Sequence, residues 1–339
     1  MGHIQVRQSS GDRYGLIGVG ILLIVVMVTG CGQNLPSGCP PNCRGADLRG
    51  KDLRRINVSH ADFRRANLSK ARLYGNNLSG ANLSSANLQD ANLMTADLSQ
   101  AKFSGANLRG ALLTAAIFEG TDLSGADLTG ANLTRVDLTR ANLTAVTMSQ
   151  VRLIGSTLLA ADLSGARLVS INLAGANLIG AQLTGADLGH PEDKHEQGSN
   201  LRGADLRSIN LTGANLAGAN LAGADLSRAK LISASLLHAS LQGVMLPRAN
   251  LNHADLTNGV YRGADMEGVS LINATLQHTI LNGTTLQGAD FSGVVLSRER
   301  SQQNRFNGVY YDKQTTWPRG FIPPHEAVLD QEDLMEEVY

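Results

Sequence analysis

Apolar residues recur along this chain every fifth position. Leu48, Leu53, Val58, Phe63, Leu68 and Leu73 open a series that continues to Leu188, and a second series runs from Leu201 to Phe291 and Leu296. The first holds 29 such centres and the second 20. Two residues before most centres stands Ala, as at Ala61, Ala66 and Ala71, and the residue between is usually Asp or Asn. The unit is therefore A-(D/N)-L-x-x, with Gly, Ser, Thr or Arg common in its fifth place. A period of five is neither that of a helix nor simple strand alternation. Self-similarity at a fixed period marks a stacked repeat architecture. Within a unit the Ala and the Leu, two apart, point to one side as in a strand, and the other three positions turn the chain and face water. If each unit forms one side of a square, four units close a coil and residues twenty apart stack. Leu columns then fill the interior, and about twelve coils at ~4.8 Å each give a rod of ~59 Å.

This repeat resembles the pentapeptide-repeat proteins. The resemblance implies an all-β solenoid, a right-handed quadrilateral β-helix. The expected layout has a first repeat segment over 44–188, an inserted loop at 189–200, a second segment over 201–296 and a C-terminal capping tail over 297–339. Leu188 and Leu201 are thirteen apart, which reads as three residues beyond the five-residue count. Val151 and Ile171 both replace Ala and stand twenty apart, so they are expected to stack as one widened column. Lys51 at an Ala place points to an irregular opening coil.

The N-terminus is a different kind of sequence. A polar lead with Arg7 and Arg13 precedes an apolar run from Leu16 to Val28, which ends in Val28-Thr29-Gly30-Cys31. A charged lead, a short apolar middle and small residues at a cleavage point describe a secretory signal over 1–30. The cysteine after Gly30 resembles a bacterial lipobox, which implies lipid on Cys31 and a cell-envelope location. The alternative is an uncleaved anchor in the inner membrane, although the run is shorter than the ~20 residues of a usual span. Residues 31–43 then form a tether in which Cys39 and Cys43 can close a small disulfide loop, with two free thiols as the alternative.

Charge is uneven along the rod. From Arg44 to Arg72 there are nine basic and three acidic residues, whereas Leu73 to Leu296 has 13 basic and 17 acidic. Arg49, Arg54, Arg55, Arg64, Arg65 and Arg72 are the candidates for contact with anionic lipid, where a basic side chain near the surface gains ~1 kcal/mol. A plain solvated surface is the other reading. The insert around His190-Pro191-Glu192 carries Pro and charge together, which marks an exposed loop and the candidate contact for an unknown protein partner. His238, His253 and His278 fall two residues after a centre and are expected to face out.

The tail leaves the repeat and brings Phe306, Tyr310, Tyr311, Trp317 and Phe321. Open solenoid ends expose unpaired strand edges, so these aromatics are expected to cap the last coil. Ala327 to Met335 reads as a short helix. The tail either closes a monomer or joins two rods end to end as a homodimer. An interior of Leu and Ala with a periodic exterior offers no converging catalytic groups, and neither a cofactor, a metal nor nucleic acid is expected. The expected function is a non-enzymatic, membrane-anchored scaffold. The alternative, taken from gyrase-protecting members of the resembled family, is a DNA mimic acting on a topoisomerase such as DNA gyrase. The neutral net charge and the export signal argue against it.

Overall fold

A computed structural model describes residues 35–189, 198–296, 306–323 and 328–329. Parallel bridges join residues twenty apart along the regular stretches, from Asn42↔Asp62 and Asp47↔Asn67 through Asp162↔Gln182. Four pentapeptides therefore close one coil. The centres fall into four columns, headed by Cys43, Leu48, Leu53 and Val58.

One coil shows why this sequence folds so. Leu68 N–H donates to the Asn87 carbonyl of the next coil at 2.7 Å, and Asn87 N–H donates back to the Ala66 carbonyl at 2.9 Å. Each side is thus a very short parallel strand held from both neighbours. Ala71 N–H then donates to the Leu68 carbonyl at 3.0 Å, closing a β-turn at the corner. The third residue of each such turn is left-handed, which suits Gly. Yet Arg65 (φ 58°), Ala115 (φ 58°) and His253 (φ 61°) also occupy it. Stacking on both sides imposes a conformation that these residues rarely adopt.

The Asp or Asn before each centre has a structural task that its periodicity did not reveal. Its side-chain oxygen accepts the turn N–H two residues on, as in Ser69 N–H to Asn67 Oδ1 at 3.2 Å and Thr129 N–H to Asp127 Oδ1 at 2.9 Å. Short polar side chains favour such local turns. Neighbouring coils add side-chain ladders, such as Asn107 Nδ2 to Asn87 Oδ1 at 3.1 Å.

The interior is Leu and Ala, nearly all completely buried. Each interior Leu contributes ~1.5–3 kcal/mol by leaving water. Polar residues at the Ala place are buried too and find partners there. Thr121, Ser156 and Ser199 donate hydroxyl hydrogens to the Leu98, Leu133 and Leu168 carbonyls at 3.0, 2.8 and 2.9 Å. Val151 and Ile171 do stack, with Asn172 N–H on the Val151 carbonyl at 3.0 Å and both side chains buried.

Three sequence expectations need correction. Lys51 is half-buried on a regular side, with Asp52 bridged to Arg72. The irregularity lies one unit later, where buried Asn76 takes the Arg55 N–H on its Oδ1 at 3.2 Å and donates to the Leu53 carbonyl at 2.7 Å. The repeat also begins inside the segment read as a tether, since Cys43 is buried and its N–H donates to Asp62. The break after Leu188 holds eight extra residues and not three. Asn172 bridges Asn200 and Asp187 bridges Asn215, each pair 28 apart in place of twenty. Leu201 therefore continues the Leu53 column directly. Gly198 marks the re-entry, where a Cβ would collide with the Gly218 carbonyl oxygen. Of the loop expected over 189–200, residues 190–197 lie outside the described residues, and Asn200 already stands on a regular side.

Candidate interaction surfaces

The solenoid begins on a disulfide between Cys39 and Cys43, with Cys43 in the first column beneath Phe63. Leu35 and Cys39 pack against the same end of the core. The basic residues surround this end instead of forming a stripe. Arg44, Arg64 and Arg65 sit at the corner after the Cys43 column. Arg49 and Lys70 sit at the next corner, and Arg54 and Arg55 at the third, with Arg72 on the side leading into it. The fourth corner carries Ser59 and His60.

Three of these arginines are tied to the Asp two residues before them. Arg49, Arg54 and Arg64 bind Asp47, Asp52 and Asp62 at 2.7, 2.5 and 2.6 Å, and Arg72 approaches Asp52 at 3.6 Å. The same carboxylates accept the backbone N–H of Arg49, Arg54 and Arg64, so each pair is an extension of the turn. The Arg54 and Arg64 side-chain hydrogen bonds pull Asp52 and Asp62 down to about 2. Of the expected lipid-contact set, Arg55 and Arg65 stand at left-handed turn positions without such a pair. Arg65 is exposed beside paired Arg64.

At the other end the tail returns to the columns. Tyr310 bridges Thr285 and Thr316 bridges Asp290, while Gly283 N–H donates to the Asn307 carbonyl at 2.9 Å. Phe306, Tyr311 and Trp317 therefore stand at the centre places that follow Leu281, Leu286 and Phe291. Val309 and Thr315 fill the Ala places, and Thr315 Oγ1 donates to the Leu286 carbonyl at 2.9 Å. Trp317 stacks on Phe291 with centroids 5.2 Å apart and meets Tyr311 edge-on at 5.7 Å. Phe321 covers both Trp317 at 5.2 Å and Phe306 at 5.5 Å. Tyr310 is half exposed and points away from this cluster's interior. The spacing hid this register, although Val309-Tyr310-Tyr311 and Thr315-Thr316-Trp317 each reproduce the small-polar-large order of the unit.

The expected helix near the end is not formed at Val328–Leu329. These residues make strand β2, paired in parallel with strand β1, Tyr310–Tyr311. A backbone edge open to a second strand is met by the chain itself at this point.

One buried hydroxyl within the repeat differs from those at the Ala places. Tyr261 is fully buried, its hydroxyl has no partner, and burial pushes it well above the ordinary tyrosine range. Its ring fits because Gly259 stands at the Ala place, where a Cβ would come within 2.6 Å of Tyr261 Cε2. His238 and His253 are exposed and His278 is half-buried, each at a turn. No group of three metal-ligating side chains occurs among the described residues. Cys31 and the expected signal segment lie outside them.

No curated protein matches the chain. Among solved structures, it is similar to HetL, a pentapeptide-repeat protein involved in heterocyst differentiation regulation in the cyanobacterium Nostoc. The identity is 33% over 70% of this chain and 92% of that one, with a TM-score of 0.26. QnrB1, a plasmid-mediated fluoroquinolone resistance protein, matches at 16% identity over 60% and 92% of the two chains with a TM-score of 0.31. Rfr23 from the cyanobacterium Cyanothece matches at 26% over 44% and 90%, with a TM-score of 0.26. Eight copies of the pentapeptide-repeat model match between residues 42 and 298, from 42–80 to 262–298. With those matches spread along coils that close on every fourth unit, the chain belongs to the pentapeptide-repeat family, whose members are right-handed quadrilateral β-helices.

Proposed function

We propose that this protein is a lipid-anchored, non-enzymatic interaction scaffold of the bacterial cell envelope. The observation that carries the reading is Cys31, placed directly after Val28-Thr29-Gly30 behind a short apolar run. Two or three acyl chains on that cysteine give stable anchoring where one would not. Pentapeptide-repeat proteins are generally structural or interaction proteins. The periodic exterior of this one, with an interior of Leu and Ala, supports the same role. In this reading the rod has about twelve coils, the tail from Phe306 to Phe321 caps it, and the disulfide end faces the membrane. The arginines that surround that end then meet anionic head groups end-on. The 189–200 insert is the contact for a protein partner.

Lipid labelling with membrane fractionation tests the anchor. The intact protein is expected to take up labelled acyl chains and sediment with membranes, and Cys31→Ala to do neither. An unlabelled, freely soluble wild type would overturn the reading. The arginine contact is tested separately on vesicles, by binding that rises with anionic lipid content and falls with salt.

A further inference from the structure

The corner that follows the Val58 column holds an open groove of about 600 Å³, bordered by Ile179, Arg207, Arg228, Pro247, Arg248 and Glu267. All are turn residues of successive coils, so the groove runs along the rod. Arg207 is held by Asp205 at 2.7 Å and lies 3.8 Å from Asp225. Arg228 and Arg248 are exposed and have no ion pair among the described residues. Both stand at the left-handed turn place (φ 60° and 58°) of consecutive coils, one step of ~4.8 Å along the axis. Side chains at this place lean over the next coil, as His60 does over Gly80 and Gln100 over Gly120. The Arg248 stem likewise lies against bare Gly268, and Arg228 is directed toward the place of Arg248.

Among the described residues, no other two consecutive coils carry Lys or Arg at the left-handed turn place. Lys70 is followed there by Asp90, Arg65 by Ser85 and Arg140 by Ala160. Like charges facing each other across a strand pair are destabilising, so two stacked guanidinium groups without an ion pair offer a place for an anion. The neighbouring charges set its size. Lys230 stands on the adjoining side, Asp225 already faces Arg207, and Asp265 and Glu267 follow in the next coil. The positive stretch is therefore two coils long and suits one compact anion, not a polyanion. Guanidinium forks pair with carboxylate and phosphate oxygens alike. A phosphate monoester brings about −1.5 to −2 charge and three acceptor oxygens, which matches two guanidinium groups, whereas a carboxylate brings one charge and two oxygens. Pro247 flanks the pair, and Ile179 stands three coils from it, ~14 Å along the groove. We propose that Arg228 and Arg248 together bind the phosphate of a small organic phosphate monoester, whose organic part lies along Pro247 toward Ile179. This does not depend on the lipid anchor.

Calorimetric titration of phenyl phosphate into the full-length chain in detergent tests it, with inorganic phosphate and benzoate as the comparison ligands. Phenyl phosphate is expected to bind saturably and several-fold tighter than either. Arg228→Gln and Arg248→Gln should each weaken it by about tenfold, the scale of a lost hydrogen bond to a charged group. Arg140→Gln, at the same turn place of the same corner but between Gly120 and Ala160, should leave it unchanged. No histidine borders the groove. Affinity should accordingly fall several-fold from about pH 7.5 to about pH 5, as the monoester takes up a proton near pH 6. Absence of saturable binding at millimolar phenyl phosphate would overturn the proposal. So would full affinity in either groove variant, an equal loss in Arg140→Gln, or inorganic phosphate or benzoate binding as tightly as phenyl phosphate.

Discussion

Two long interruptions break the five-residue spacing, and after each the chain resumes at the next column in order. After Leu188 eight extra residues intervene, and Leu201 resumes the Leu53 column. After Leu296 five intervene, and Phe306 resumes the same column one coil short of the end. The first return brings Leu and Ala, because more coils follow and each must offer a flat, narrow layer to the next. The second brings Phe306, Tyr311 and Trp317, large rings that pack on one another and, through Trp317, on Phe291. What is preserved is therefore the column and its backbone ladder, while the five-residue spacing in sequence is dispensable at a corner.

Substitutions at the two returns should separate these cases. Leu216→Ala, fully buried just beyond the first return, is expected to cost ~2–5 kcal/mol in urea unfolding. Trp317→Ala should cost less and act locally, with faster amide exchange over 306–317 and unchanged exchange near Leu216. Uniform loss of protection along the rod would contradict the distinction. Gly198→Ala is the next largest effect, ~1–3 kcal/mol, since the obstacle is the Gly218 backbone. Gly189→Ala meets only the movable Asn215 side chain and should be milder. An uninterrupted coil supplies the reference. There Gly259→Ala should destabilise by a similar ~1–3 kcal/mol, and Tyr261→Leu should rescue it.

Smaller effects probe the insert and the first coils. Deleting 190–197 joins Gly189 to Gly198 and creates Leu188-Gly189-Gly198-Ser199-Asn200-Leu201, an ordinary unit. Stability should change by only about 1 kcal/mol, since thirteen residues to five is a little over one halving at ~0.6 kcal/mol each, so thermal unfolding should stay close to that of the intact chain. The smallest effect concerns pH. Asp52 and Asp62 are held below the ordinary carboxylate value, so their contribution is complete above about 4 and is lost as pH falls through about 2. Protection of the first two coils, taken relative to the intrinsic amide rate at each pH, should thus be flat from neutral pH to about 4 and fall below it. Arg54→Gln with Arg64→Gln should flatten that pH dependence, because the folded and unfolded carboxyls then titrate closer together. These pairs are exposed, so their whole effect is modest.

The fold was legible because its cause is periodic. Leu and Ala at fixed spacing can be read without knowing what they pack against, and the stacking of Val151 on Ile171 followed from the coil length. The break was misread because thirteen residues between centres fits either two short steps or one long one, and only the Asn172–Asn200 bridge decides between them. The polar position was read only as facing water, since a hydrogen bond accepted by Asp or Asn from its own turn leaves no mark in the period. Neighbours along a corner escaped notice for another reason. Arg228 and Arg248 are unremarkable in linear order and stand one coil apart when the chain is read in twenties.

The closure of each coil on itself also has a hereditary consequence. Because every layer contacts only the layers on either side, an in-frame duplication or loss of one coil's codons leaves all four columns continuous. Such an event changes the reach of the molecule by one step of ~4.8 Å. A gene of this kind can lengthen or shorten its product without redesigning an interior, provided that the Cys39–Cys43 start and the Trp317 end are carried along unchanged.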